Sequence, residues 1–115
     1  MSTIQTTATF PNIPAEKLGE FKKLAEQMMA VTRTEADTLQ YDWFFNDDET
    51  KCVVRETYAS SDAVLAHVAN LGDLFERIIE VGGDMEVEGF GTPSADLLAM
   101  TAAMNATVYA PFQSK

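Results

Sequence analysis

From residue 15 to residue 31 the apolar side chains Leu18, Phe21, Leu24, Ala25, Met28 and Val31 return at intervals of three and four, with Glu16, Glu20, Lys23 and Gln27 in the gaps. That period gathers the apolar residues on one stripe and predicts an amphipathic helix from Ala15. The break Asn12-Ile13-Pro14 precedes it, and Pro14 suits a first helical turn because its missing N–H would be unpaired there in any case. Upstream, Thr3 to Phe10 is a β-favourable run stopped by Pro11, which predicts a first strand. Downstream, the helical period is lost over Thr32 to Thr38. Leu39 to Phe45, rich in aromatics, and Lys51 to Tyr58, rich in β-branched residues, then flank the polar stretch Asn46-Asp47-Asp48-Glu49-Thr50. Two such runs joined by so short a polar loop predict an antiparallel hairpin.

Ser60-Ser61-Asp62 has the composition of a helix cap, and Ala63 to Leu71 follows with Val64, Leu65, His67, Val68 and Leu71. Gly72 interrupts this helix, Asp73 to Val81 resumes it, and Gly82-Gly83 ends it, so the region holds two short helices or one broken helix. Met85 to Phe90 alternates as a strand does. Thr92-Pro93-Ser94 opens a last helix through Leu97, Leu98 and Met104, and Thr107 to Tyr109 predicts a short fifth strand before Pro111. The order is β, α, β, β, α, β, then an added helix and strand. Its first six elements are those of the ferredoxin-like α+β fold, a split βαβ arrangement with an antiparallel sheet and both helices on one face. A chain of 115 residues is expected to form one domain, spanning 1–115.

Period two sorts the hairpin onto faces: Leu39, Tyr41, Trp43 and Phe45 against Gln40, Asp42, Phe44 and Asn46, then Cys52, Val54, Glu56 and Tyr58 against Lys51, Val53, Arg55 and Thr57. Neither arm has a wholly polar face, so the sheet needs cover on both sides. Helices supply one cover. Trp43, Phe45 and their neighbours are too apolar to stay exposed on the other face, and a second copy of the chain is the economical cover, which predicts a homodimer.

Charge narrows the partners. Eighteen acidic residues against eight basic ones give a net charge of −10, a surface that repels phosphate backbones and anionic lipid, and the basic residues are scattered rather than clustered. Nucleic-acid binding is not expected. No segment approaches the length of a membrane span, and the opening MSTIQTTATF lacks the basic start and apolar core of a signal peptide, so a cytoplasmic protein is expected. The single cysteine, Cys52, cannot form an internal disulfide and reads as strand packing.

The segments Leu39-Gln40-Tyr41-Asp42-Trp43, Val54-Arg55-Glu56-Thr57-Tyr58-Ala59-Ser60 and Ala63-Val64-Leu65-Ala66-His67 resemble the antibiotic biosynthesis monooxygenase family, in its pattern of a strand, a second strand ending in E-x-Y and a helix with a histidine. The resemblance runs on through Gly91-Thr92-Pro93-Ser94 to Val108-Tyr109, which is similar to the tail of small quinol-oxygenase-like members. It implies a dimeric α/β barrel with a pocket between sheet and helices in each subunit. In active members it implies oxidation of small phenols or quinols by O2 without metal, flavin or haem.

Such chemistry needs a base for a phenolic proton and a dry pocket for the resulting anion. His67, the only histidine, is the natural base, and Glu56 and Tyr58, two apart on one strand face, would orient it or bind the substrate oxygen. Tyr41, Trp43 and Phe45 would wall the pocket for a planar aromatic or quinone-like molecule by stacking. Each residue has a plainer role: His67 as a packed helix residue, Glu56 in an ion pair with Arg55 or Arg77, and the aromatics as core. Neither a metal-ligand spacing nor a phosphate-cradling glycine loop is present, so no cofactor site is expected. The competing expectation for the whole chain is a non-catalytic dimeric barrel that binds a small hydrophobic ligand or serves as a stress-related accessory protein.

Overall fold

The computed structural model describes residues 3–115. Strand β1 (Ile4–Phe10) leads through a 3-10 turn (Ala15–Lys17) into α1 (Leu18–Thr32) and the hairpin β2 (Thr38–Phe45) and β3 (Cys52–Tyr58). Helices α2 (Ser61–Leu71) and α3 (Asp73–Gly82), strand β4 (Glu86–Phe90), helix α4 (Ala95–Ala103) and strand β5 (Thr107–Tyr109) complete the chain. The sheet order is β2-β3-β1-β4-β5. Its first four strands pair antiparallel, and β5 adds a parallel edge beside β4. This is the α+β, ferredoxin-like arrangement that the element order predicts, and strand boundaries shift by a residue: Lys51 belongs to the hairpin loop and Met85 precedes β4.

Local chemistry accounts for the breaks. Ser60 and Ser94 cap α2 and α4, their hydroxyls accepting from the backbone N–H of Ala63 and Leu97, each at 3.2 Å. Gly72 takes a positive φ of 53°, which ends α2 and starts α3 at a new angle, so the region is two helices.

Phe21 of α1, fully buried, centres the main core. It meets the rings of Phe10 at 5.0 Å, Trp43 at 6.0 Å and Phe45 at 6.1 Å, all edge-on. Gly82 lets α3 approach this cluster: a Cβ there would sit 2.7 Å from Phe10 Cδ1 and 2.8 Å from Phe21 Cε2. A smaller cluster of Ile4, Tyr58, Ala63, Val64 and Leu97 lies beneath α2 and α4. Cys52 is buried in the main core, and desolvation pushes its thiol up to about 11, in keeping with a packing role.

Two sequence expectations are corrected. Trp43 and Phe45 do not lie on the uncovered face of the sheet, because both pack inward against Phe21. The residues that alternate with them, Gln40, Asp42 and Phe44, take the open side, with Phe44 half exposed. Leu39 does not share a face with Tyr41 either. Thr38 pairs with Tyr58 and Gln40 with Thr57, so Leu39 is an extra residue in a β-bulge and projects into solvent, 59% exposed.

Candidate functional site

Three separate segments bring their polar side chains together between sheet and helices. Glu56 and Tyr58 share the inward face of β3, as period two requires, and the Tyr58 hydroxyl donates to Glu56 Oε1. The cap at Ser60 turns the chain into α2 so that His67 comes back over them. Its ring lies 5.4 Å from that of Tyr58 and 5.0 Å from that of Tyr41, and its Nε2 stands 3.9 Å from Glu56 Oε1. The other ring nitrogen, Nδ1, lies 2.8 Å from Glu35 Oε1 in the turn between α1 and β2. Glu35 is fixed in turn by the Thr38 hydroxyl at 2.7 Å and the Asn70 amide at 2.8 Å, both donating.

Burial sets the protonation states. The His67 side chain is 3% exposed, and those of Glu35 and Glu56 are each 13% exposed. Desolvation lowers the His67 pKa below its ordinary 6.5, against the opposing pull of the Glu35 hydrogen bond and charge. Desolvation acts to raise Glu35, but hydrogen bonds from Asn70, Thr38 and His67 outweigh it and hold this carboxyl below the usual range. An ionised Glu35 accepts, so Nδ1 of a neutral His67 carries the proton and Nε2 presents its lone pair. Glu56 goes the other way. Desolvation pushes it up to about 7, helped by the charge of Glu35 and resisted by hydrogen bonds from Tyr58 and Thr6. The phenols of Tyr41 and Tyr58 are pushed far up by desolvation and the nearby Glu56, so both stay protonated donors.

The arrangement is thus a basic nitrogen oriented by an anionic carboxylate, beside a second carboxyl that is divided between its acid and base forms near neutrality. Environments that drive neighbouring groups apart in this way allow one to take a proton and the other to give one.

The cavity above this cluster is almost wholly apolar. It is a narrow slot with a volume of about 80 Å³. Tyr41, Trp43, Glu56, Tyr58 and His67 all line it. Phe45 does not: it packs beneath α1, with Lys22 Nζ 5.5 Å above its ring. Glu56 pairs with neither Arg55 nor Arg77; it faces His67 and Tyr58 instead. The indole Nε1 of Trp43 is buried with no hydrogen-bond partner among the described residues. Among those residues, no group of three or more His, Cys, Asp and Glu side chains is placed to hold a metal ion, and no helix is long and apolar enough to cross a membrane.

Sequence reading missed Glu35, together with Thr38 and Asn70 that hold it. Glu35 lies 32 residues before His67 in a polar turn, and no spacing links the two. The one available signal was the acidic residue just before the hairpin that carries Glu56.

Comparison with solved structures gives the same fold. MupZ from Pseudomonas fluorescens aligns with a TM-score of 0.78 at 20% identity, covering 99% of this chain and 93% of its own. Rv0793 from Mycobacterium tuberculosis aligns with a TM-score of 0.68 at 20% identity, covering 76% and 91%. A protein described as an antibiotic biosynthesis monooxygenase aligns at 0.65 and 23% identity, covering 73% and 92%. No curated protein sequence matches the chain significantly. The sequence profile described as antibiotic biosynthesis monooxygenase matches residues 5–80, the stretch that supplies Glu35, Glu56, Tyr58 and His67. The chain therefore belongs to the antibiotic biosynthesis monooxygenase family.

Proposed function

We propose that the protein is a cofactor-independent monooxygenase that oxidises a small phenol or quinol with O2, using His67 as the base. The observation that carries this reading is the neutral, Glu35-oriented His67 facing the buried Glu56 across 3.9 Å at the floor of an apolar slot. A substrate hydroxyl seated between the two is within reach of both. His67 Nε2 takes its proton, and the imidazolium so formed is stabilised by ionised Glu35 at 2.8 Å.

The phenolate is left in a water-poor slot, where protonated Glu56 and the indole N–H of Trp43, which has no partner among the described residues, are the available donors. An electron-rich phenolate passes one electron to O2, and recombination of the two radicals forms a carbon–oxygen bond. Loss of water then gives a quinone. One oxygen atom enters the ring, the other leaves as water with the substrate's own two hydrogens, and no external reductant is consumed. Glu56, with its pKa near 7, supplies the proton for the departing hydroxide and regains one from His67.

The open sheet face supports assembly with a second copy, now through Phe44 and the half-buried Val53 and Thr57 of that face rather than through Trp43. Light scattering at micromolar concentration is expected to give a dimer mass.

The test is oxygen consumption above autoxidation with a panel of benzoquinols and naphthoquinols. His67→Ala is expected to lower the enzymatic rate on the order of a hundredfold or more, the usual worth of a positioned base. No turnover on any quinol, with binding retained, would favour the non-catalytic ligand-binding barrel that the apolar lining also suits. Turnover unaffected by the substitution would remove His67 from the mechanism.

A further inference from the structure

The slot does not end at the polar cluster. It continues as one cavity past Gly89 and Val87 of β4 to a wall made by α4, the turn after it and β5, where Met100, Met104 and Val108 line it. This wall lies beyond residue 80, where the family match stops. The matched stretch supplies Glu35, Glu56, Tyr58 and His67, and the wall opposite is built by the C-terminal segment that lies outside the match.

Several features make that segment a receiving wall rather than casual cover. Leu97 anchors α4 into the cluster of Ile4, Tyr58 and Val64, and the Ser94 N–H donates to Ser61 Oγ at 2.9 Å, so the start of the helix is fixed to α2. The parallel pairing of β5 with β4 fixes the return strand, reinforced by Tyr109 stacked on Phe90 at 5.3 Å. Between these anchors Met100 and Met104 are only partly buried, and an unbranched thioether adapts to an irregular apolar partner better than any other side chain. Gly89 also lines the cavity, facing Val108: a Cβ there would stand 3.8 Å from Val108 Cγ2, an ordinary contact.

Charge decides the chemistry of the occupant. Among the described residues no lysine, arginine or aspartate lines the cavity, and the ionisable side chains that do are those of the polar cluster. A carboxylate or phosphate at the far end would be desolvated without a partner.

On the reading of the site given above, we infer that α4 and β5 determine specificity, and that the substrate joins its hydroxyl-bearing head to an uncharged, flexible apolar tail several carbons long, held between Gly89 and the side chains of Met100 and Met104.

The probe is a series of unbranched primary alcohols from butanol to decanol, which present a hydroxyl and a tail but are not substrates for phenol oxidation. Binding is read from the emission of Trp43, the only tryptophan, which lines the cavity. Affinity is expected to rise about three- to fourfold per added methylene until the far wall is reached. Met104→Phe, which fills that end, is expected to weaken decanol by at least about tenfold, roughly two methylenes of burial, while leaving butanol within about twofold. Met100→Ala, which enlarges it, is expected to shift the optimum to a longer chain. The two variants act in opposite directions, and thermal melts confirm that each is folded. Affinity independent of chain length, or the same length profile in parent and both variants, would overturn the inference. Because the alcohols are not oxidised, a quinol panel that shows no turnover leaves this outcome untouched, and the two failures are told apart.

Discussion

Glu56→Gln should stabilise the protein at alkaline pH and not at acid pH. The Glu56 carboxyl titrates at about 7 in the folded chain because burial disfavours its charge, against an ordinary value of 4.5. Below pH 4.5 it is protonated in both the folded and unfolded states and imposes no cost. Above pH 7 it is ionised in both, and only the folded state holds the charge away from water. Its contribution to stability therefore falls as pH rises through the window between the two values. At about 1.4 kcal/mol per pH unit, that interval amounts to about 3 kcal/mol. Glutamine cannot ionise, and its carbonyl oxygen still accepts from the Tyr58 hydroxyl, so the substitution removes the charge with little change in shape. Urea unfolding of parent and variant across this range measures the effect. The stability of the variant minus that of the parent should grow by about 3 kcal/mol from the acid to the alkaline end. Glu35 and His67, both with lowered pKa values, make folding less favourable as pH falls, the opposite sign, and they largely cancel in the subtraction. A difference that stays flat with pH would show that Glu56 is an ordinary solvated carboxylate, and the acid–base pair would lose one member.

Two further outcomes follow from the geometry. Glu35→Gln removes the charge that opposes desolvation at His67, so the His67 pKa should fall further; proton NMR of the single imidazole reads this without ambiguity, and an unchanged or raised value would contradict the pairing. Gly82→Ala forces a methyl to within 2.7 Å of Phe10 and 2.8 Å of Phe21, and should cost about 1–3 kcal/mol by overpacking, seen as a lower urea midpoint with an unchanged slope; an unchanged midpoint would mean that the two rings give way freely.

The parts of the fold visible in the sequence were those governed by local rules. The period of Leu18, Phe21, Leu24 and Met28 placed α1, the polar loop after Phe45 placed the hairpin, and Gly72 marked a break after Leu71 without deciding between two helices and one broken helix, because spacing and turn chemistry act over a few residues. The assignment of faces was less secure. Alternation put Tyr41, Trp43 and Phe45 together, but which side the helices cover depends on packing: Phe21 draws Trp43 and Phe45 inward, and Tyr41 packs on Trp43 and His67. Alternation also failed at Leu39, since the bulge is decided by what β3 pairs with on either side of it. For the site, Glu56, Tyr58 and His67 were legible as chemistry and do converge on one cavity, whereas Phe45 fell outside it. Glu35 was illegible because the carboxylate that orients His67 comes from a turn whose own sequence predicts only a turn.

The bulge at Leu39 also changes the phase of β2. In a regular strand Thr38 and Tyr41, three positions apart, would point to opposite sides. With one residue looped out, Thr38 opposite Tyr58 and Tyr41 opposite Glu56 both face the helices. Thr38 can then clamp Glu35 while Tyr41 packs on His67, two demands that an unbroken pleat could not meet together. Leu39 thus works as a spacer of one residue that keeps two otherwise incompatible reading frames in step, and it does so with its side chain largely in water. A solvent-exposed leucine on an edge strand invites trimming, and here the backbone it occupies, not the side chain, is what holds the acid–base cluster in alignment.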